Sequence, residues 1–280
     1  MTADPGKSLS EGMRLVLVAA SVLVFSVGVS LFLLTERTDK YFAWTIANPL
    51  TAAFLGAGYW ASGILELLAS RERNWANARI AVPAVLVFTV LTLLVTLNHW
   101  DRFHFDDSEF ITRFGTYFWI AVYASVPVIM LAALLQIGWQ TEAGAAPARS
   151  LPTALYWIII AQGTVMFVLG LLLLISPASV DQLWPWSLTE LTARAIGAWL
   201  VSFGVAAFHS VYENNLRRIR AILLSYVAIA VLQLIALLRY KDVPDWGAIN
   251  IWLFLTFVLS MLGVSLVLCR LSFALKDDPA

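Results

Sequence analysis

The octapeptide LTAAFLGA at residues 50–57 returns 141 residues later as LTARAIGA at residues 191–198. Outward from this pair the register holds without a gap: residues 31–101 overlay 172–242 with 16 identities in 71 positions. Leucine matches carry little weight in apolar segments. The telling ones are Thr51/Thr192, Gly56/Gly197, Gly63/Gly204, Glu72/Glu213, Asn74/Asn215, Arg79/Arg220 and Asp101/Asp242, with SRERNWANAR (70–79) falling on VYENNLRRIR (211–220). Self-similarity over such a length marks a duplicated unit.

The solvent of that unit follows from composition. Sixty per cent of the 280 residues are apolar or aromatic, only 13% are charged, and the mean hydropathy is +0.81. Soluble domains run at about 45–50% apolar and about 25% charged, so most of this chain is built for lipid. A net charge of +0 and the single Cys269 exclude nucleic-acid binding, a disulfide scaffold and covalent c-type haem. A bilayer core about 30 Å thick needs about 20 apolar helical residues. On that measure spans are expected near 13–34, 49–69, 80–98, 115–138, 153–176, 188–210, 219–238 and 250–271, with Asn48-Pro49, Leu151-Pro152, Ser187, Thr189 and Asn250 as helix-entry residues.

The expected fold is therefore an all-α polytopic membrane protein of eight transmembrane helices, arranged as two parallel four-helix repeats. Four spans return the chain to its starting side, which places the pseudo-two-fold axis along the membrane normal. The segments are a tail (1–12), repeat one (13–138), a linker (139–152), repeat two (153–272) and a second tail (273–280). Eleven Lys and Arg residues fall on the side of the two ends, among them Arg71, Arg73, Arg79, Arg217, Arg218 and Arg220, against six on the other. The positive-inside rule then puts both termini in the cytoplasm, with the plasma (inner) membrane as the expected location. Trp44, Trp100, Trp184, Trp186 and Trp246 fall at the outer boundary and read as an interfacial belt.

Gly56 and Gly63, like Gly197 and Gly204, are seven apart and present one helix face on which a second backbone can approach closely. The repeated inner-loop charges are expected to pair within each loop, Glu72 with Arg79 and Glu213 with Arg220, leaving any working motion between the halves. The most polar cluster is the outer loop 98–109, where His99, Asp101, His104 and Asp106 offer imidazole and carboxylate; His99, His104 and Asp106 are the metal candidates, without a regular ligand spacing. Within the spans, Glu66 and Arg194 are ionisable and shallow enough to snorkel, and Glu190 stands one turn before Arg194. Pro127 should kink the fourth span. No phosphate-binding loop, dinucleotide fingerprint, HExxH or CxxC is present.

These features favour a non-catalytic membrane protein, either an accessory or scaffold subunit contacting other membrane subunits, or a binder of an apolar ligand such as lipid, quinone or pigment. A small-solute or ion transporter with its site between the repeats is the second reading, and an outer-surface metal-dependent enzyme using loop 98–109 the third. The orientation has a direct test. In a Cys269→Ser background, Asp107→Cys should react with a membrane-impermeant maleimide in intact cells and Ala3→Cys only after lysis; the opposite order would invert the topology.

Overall fold

The computed structural model describes residues 8–137, 149–180 and 183–274. Residues 1–7, 138–148, 181–182 and 275–280, and with them most of both tails and of the 139–152 linker, lie outside the described residues. Eight helices are long and apolar enough to cross a membrane. We number them α1 (Glu11–Gly28, extended by a π-helical turn Val29–Leu33), α2 (Pro49–Arg71), α3 (Val82–Asn98), α4 (Phe110–Ile137), α5 (Thr153–Ile175), α6 (Glu190–Glu213), α7 (Arg220–Arg239) and α8 (Ile249–Phe273). Among the described residues the only β feature is a single bridge between Ser8 and Asn74.

Caps set the helix starts. Ser10 Oγ accepts the Met13 N–H, Asn48 Oδ1 accepts those of Leu50 and Thr51 ahead of Pro49, and Thr189 and Thr192 form a reciprocal capping box. Asn250 satisfies a helix-start donor from the first turn of α8: its Oδ1 accepts the Ile251 N–H at 2.9 Å, and its amide donates to the Trp184 carbonyl at 3.0 Å. The fourth span opens at Phe110, earlier than the expected 115, because Phe110, Phe114 and Phe118 stack at one-turn spacing along its exposed face. The helix runs on through Pro127.

The centre of the bundle is α2 and α6, each with 78% of its apolar window buried, whereas α1, α4, α5 and α8 have only 22–33% buried. The two central helices are also the least hydropathic of the eight. The reason is physical: a lipid-facing position must be apolar, while a position facing another helix can be small or hydroxylated. α1 packs on α2 and α5 on α6; α2 also meets α7, and α6 meets α3; α4 and α8 lean on α3 and α7. At the aligned positions Gly56 and Gly197 a Cβ would come within 2.6 Å of the Phe32 N and 2.8 Å of the Gly170 carbonyl oxygen, so a methyl group at either would force the helices apart.

The halves meet along α2–α7 and α3–α6, and hydrogen bonds join the apolar packing there. Ser202 Oγ donates to the Ala84 carbonyl (2.5 Å), and Ser225 Oγ donates to the Ala61 carbonyl (2.8 Å). Positions 61 and 202, and 84 and 225, are 141 apart. Trp199 lies against Gly58, likewise its partner at that offset.

The inner-loop charges correct the expected pairing. Arg79 reaches across to Glu213, with Nε and Nη2 at 2.8 and 2.7 Å from Oε1, and both side chains are nearly inaccessible. Arg218 Nη1 takes the other oxygen at 3.0 Å, and His209 Nε2 stands 3.4 Å from Oε1. Glu72 accepts instead from Asn77 Nδ2 (3.0 Å), and Arg220 donates to the hydroxyl and carbonyl of Ser272 (2.7 and 2.5 Å). The cause is local: residues Trp75–Ala78 and Arg79–Ala81 are already helical, which turns Arg79 away from its own loop and toward the other half. The loops therefore tie the halves together and do not free them to move. The belt reading of the tryptophans also changes. Trp100 and Trp246 are exposed, but Trp44, Trp184 and Trp186 are buried, folded into the bundle by the α1–α2 and α5–α6 connections.

Removing one partner of a buried ion pair leaves an unpaired charge at a cost of about 3–5 kcal/mol. Because Arg218 still faces Glu213, Arg79→Met should fall at the lower end of that range. Reversible unfolding in mixed micelles should show the loss, with Arg79→Met/Glu213→Met recovering much of it. Wild-type stability in the single variant would mean that the pair does not hold the halves.

Candidate functional site

Three cavities, with a smaller crevice in the first half, bear on where chemistry or binding can occur. The smallest lies between the halves, where Phe88 and Trp199 stack at 3.8 Å; it measures about 20 Å³ and is edged by Ser62, Ser202, Ser225 and Tyr226. That is room for about one water.

The second opens on the flank of the second half, between α5, α6, α7 and α8. The connection entering α6 is rich in aromatic residues, and its rings turn inward. Trp184 packs edge-on against Trp186 and Phe54, and Trp186 against Phe254, with centroids 5.2–5.5 Å apart. Trp186 Nε1 is satisfied by Thr51 Oγ1 at 2.9 Å. Beside this cluster runs a crevice of about 370 Å³ whose wall includes Phe54, Met166, Leu169, Trp184, Leu200, Phe203, Gln233, Phe254, Phe257 and Met261. Leu183 and Leu253 on its wall are largely exposed, so the crevice faces the side of the bundle and not an aqueous end. Two buried polar atoms in that wall have no partner: Trp184 Nε1, a donor, and Gln233 Oε1, an acceptor. The other end of the Gln233 amide donates to the Phe54 carbonyl at 3.2 Å, which fixes its orientation. An unsatisfied buried polar group costs about 1–3 kcal/mol.

The first half carries a smaller crevice, about 200 Å³, lined in part by Phe42, Ala43, Tyr59, Trp119 and Tyr123. Tyr59 stands where Leu200 stands in the other half, and Phe42 where Leu183 does. The larger rings take up room, and the Tyr59 and Tyr123 hydroxyls bond each other at 2.7 Å.

The third cavity, about 630 Å³, lies on the side opposite the chain ends and draws residues from both halves. It gathers some of the residues singled out in the sequence and separates others. His99 and Asp101 line it together with Glu190. Arg194 Nη1 is shared between His99 Nε2 (2.8 Å) and Glu190 Oε2 (3.0 Å), while its Nε caps the α5 carbonyl of Leu174 (3.1 Å). His104 turns away, to Thr45 Oγ1 (3.0 Å) and the Phe42 carbonyl (3.3 Å), and Asp106 is exposed. Among the described residues no three His, Cys, Asp or Glu side chains come together as a metal-holding group. Glu66 does not snorkel. It is buried, accepts from Ser62 Oγ at 2.9 Å, and its second oxygen has no partner. Arg79 and Glu213 form the tie between the halves, Glu72 and Arg220 bond within their own halves, and none of the four lines these cavities.

The chain matches no protein-family model, no curated protein and no solved structure. Trp184 and Gln233 were visible as polar or amphipathic residues in the sequence, but nothing in their spacing placed them on one wall, since 49 residues separate them.

Burial, followed by the Arg194 guanidinium, lowers the His99 pKa below its ordinary 6.5. The folded protein thus favours the neutral ring that accepts from Arg194, and the unfolded chain takes up the proton more readily. The contribution of His99 to stability is present above about pH 6.5 and is lost as pH falls through the lowered value. Wild type should accordingly lose more thermal stability than His99→Asn between pH 7.5 and 5. Parallel pH dependence in the two proteins would refute this.

Proposed function

We propose that this protein is a non-catalytic integral membrane protein that holds an apolar ligand bearing a carbonyl or hydroxyl headgroup, of the quinone or lipid class, in the crevice of its second half. The observation that carries the reading is the pair of orphaned atoms, Trp184 Nε1 and Gln233 Oε1, in an otherwise aliphatic and aromatic wall. A ligand carbonyl accepts from the indole, a ligand hydroxyl donates to the amide oxygen, and the rings cover the apolar remainder. A volume of about 370 Å³ lies within the range of about 300–1,000 Å³ usual for small-molecule sites. The crevice faces the flank, where such a ligand arrives from the bilayer without crossing water.

The same proposal includes two parallel four-helix repeats about an axis along the membrane normal, both termini in the cytoplasm, and the plasma membrane as location. Support comes from the 141-residue register, the two serine–carbonyl bonds at equivalent positions, Trp199 against Gly58, and one crevice per half. Transport by alternating access needs a mid-depth polar cavity and separable halves. A void of about 20 Å³ and the buried Arg79–Glu213 pair argue against it. The surface left exposed on α4 and α8 is apolar, as suits either lipid or neighbouring subunits.

A short-chain benzoquinone is a suitable probe, because quinones quench tryptophan emission at contact. Titration into the purified protein should give saturable quenching. By equilibrium dialysis Trp184→Phe, which loses the donor to the quinone carbonyl, should retain severalfold less quinone, while Gln233→Leu should retain severalfold less of the corresponding quinol, whose hydroxyl donates to the amide oxygen. Linear, non-saturating quenching, with retention unchanged in both variants, would defeat the assignment.

A further inference from the structure

The cavity opposite the chain ends has features that the apolar-ligand reading does not use. Its charged groups come in both signs: Asp101 and Arg102 from the first half, bonded to each other at 3.2 Å and largely exposed, and Glu190 from the second, backed by Arg194. Two acids and two bases cancel. Such a site does not attract a simple anion or cation over its opposite, but it can hold one molecule carrying both charges at separate ends.

Two neutral donors sharpen the choice. Trp44 lines this cavity, is 4% exposed, and its indole N–H has no partner. His99 also lines it. Its Nε2 accepts from Arg194, so the ring proton resides on Nδ1, which serves as a second donor. With the Arg102 guanidinium these make a set of donors suited to an oxyanion with several acceptor oxygens. Glu190 and Asp101 supply acceptors suited to an ammonium group. Three donor groups with two carboxylates match a phosphate joined to an amine better than a single carboxylate or a sugar. The cavity, at about 630 Å³, is large enough for such a group and lies at the loop side, by the residue that follows α3 and the first of α6.

We propose that this cavity binds a phosphate–ammonium zwitterion of the phosphoethanolamine type, with the phosphate on Trp44, His99 and Arg102 and the ammonium on Glu190 and Asp101. The group can come from a bilayer lipid or from a soluble phosphoethanolamine compound; the site chemistry is the same. Binding here spans the two halves on this side, as Arg79–Glu213 spans them on the other. The inference is independent of the crevice.

The test uses the full chain in nanodiscs of equal parts phosphatidylethanolamine and phosphatidylglycerol, with retained lipid read by native mass spectrometry. Wild type should keep phosphatidylethanolamine preferentially. Losing one charge-assisted hydrogen bond to the ammonium, worth about 1.5–3 kcal/mol, should cut that preference at least about tenfold in Glu190→Gln, which keeps the shape, while Trp44→Phe, at the phosphate that both lipids carry, should lower the total retained. Asp101→Asn, at an exposed position that bears little on folding, should lower the preference as well. Adding glycerophosphoethanolamine separates the sources: displacement of the lipid shows that the soluble compound suffices, and persistence shows that the bilayer lipid is the ligand. Both outcomes uphold the zwitterion. Equal retention of the two lipids by wild type, or a preference unchanged in both carboxylate variants, overturns it.

Discussion

Arg79 and Glu213 share two hydrogen bonds across the boundary between the halves, at a place where neither touches water. Burying two such charges has a desolvation cost that only good geometry and further hydrogen bonds offset, and Arg218 supplies the additional bond. An arrangement of this kind tolerates little displacement, because sliding the halves by a side-chain length would break both bonds of Arg79 to Glu213. The rest of the molecule is consistent with that rigidity. The interior between the halves is nearly filled, and the roomy cavities lie at the flanks and at the side opposite the chain ends.

Apolar burial does little to join helices whose surroundings are as apolar as their surfaces. What remains is close backbone approach and a limited set of polar links. The arrangement of α2 and α6 follows: the helices most deeply enclosed are the ones with the most glycine, alanine and serine, and every other span is more hydropathic. The α1–α2 and α5–α6 connections then fold Trp44, Trp184 and Trp186 into the bundle, where Trp184 walls the crevice of the second half.

Most of the architecture could be read from the sequence because lipid imposes length and polarity rules that act residue by residue. Span number, the glycine faces and the 141-residue register are properties of that kind. What could not be read depended on direction. Glu72 and Arg79 are close in sequence, but a short helical segment rotates one away from the other, and nothing in the residue types announces where that helix begins. Trp44 and Trp184 stand where an interfacial belt would have them, and whether an indole points to lipid or inward depends on the path of its loop. His99 and His104 sit five apart in one polar loop, yet the first engages Arg194 in the other half and the second engages its own. Gln233 was recognisable as a polar residue in mid-span, but its unused oxygen is a fact of packing.

The two serine bonds between the halves have a consequence of their own. Both hydroxyls, Ser202 and Ser225, come from the second half, and both accepting carbonyls, Ala84 and Ala61, from the first. Two copies of the first half set face to face would bring alanine to alanine at both places, and two copies of the second would bring serine to serine. A backbone carbonyl stands at all four places, so what the residue types set is which half brings the hydroxyls: two first halves would bring none, two second halves would crowd hydroxyl on hydroxyl, and here the second half brings both. Although their sequences still overlay, the halves have become lock and key to each other, and a substitution on one side of the seam has to be judged against the residue it meets on the other.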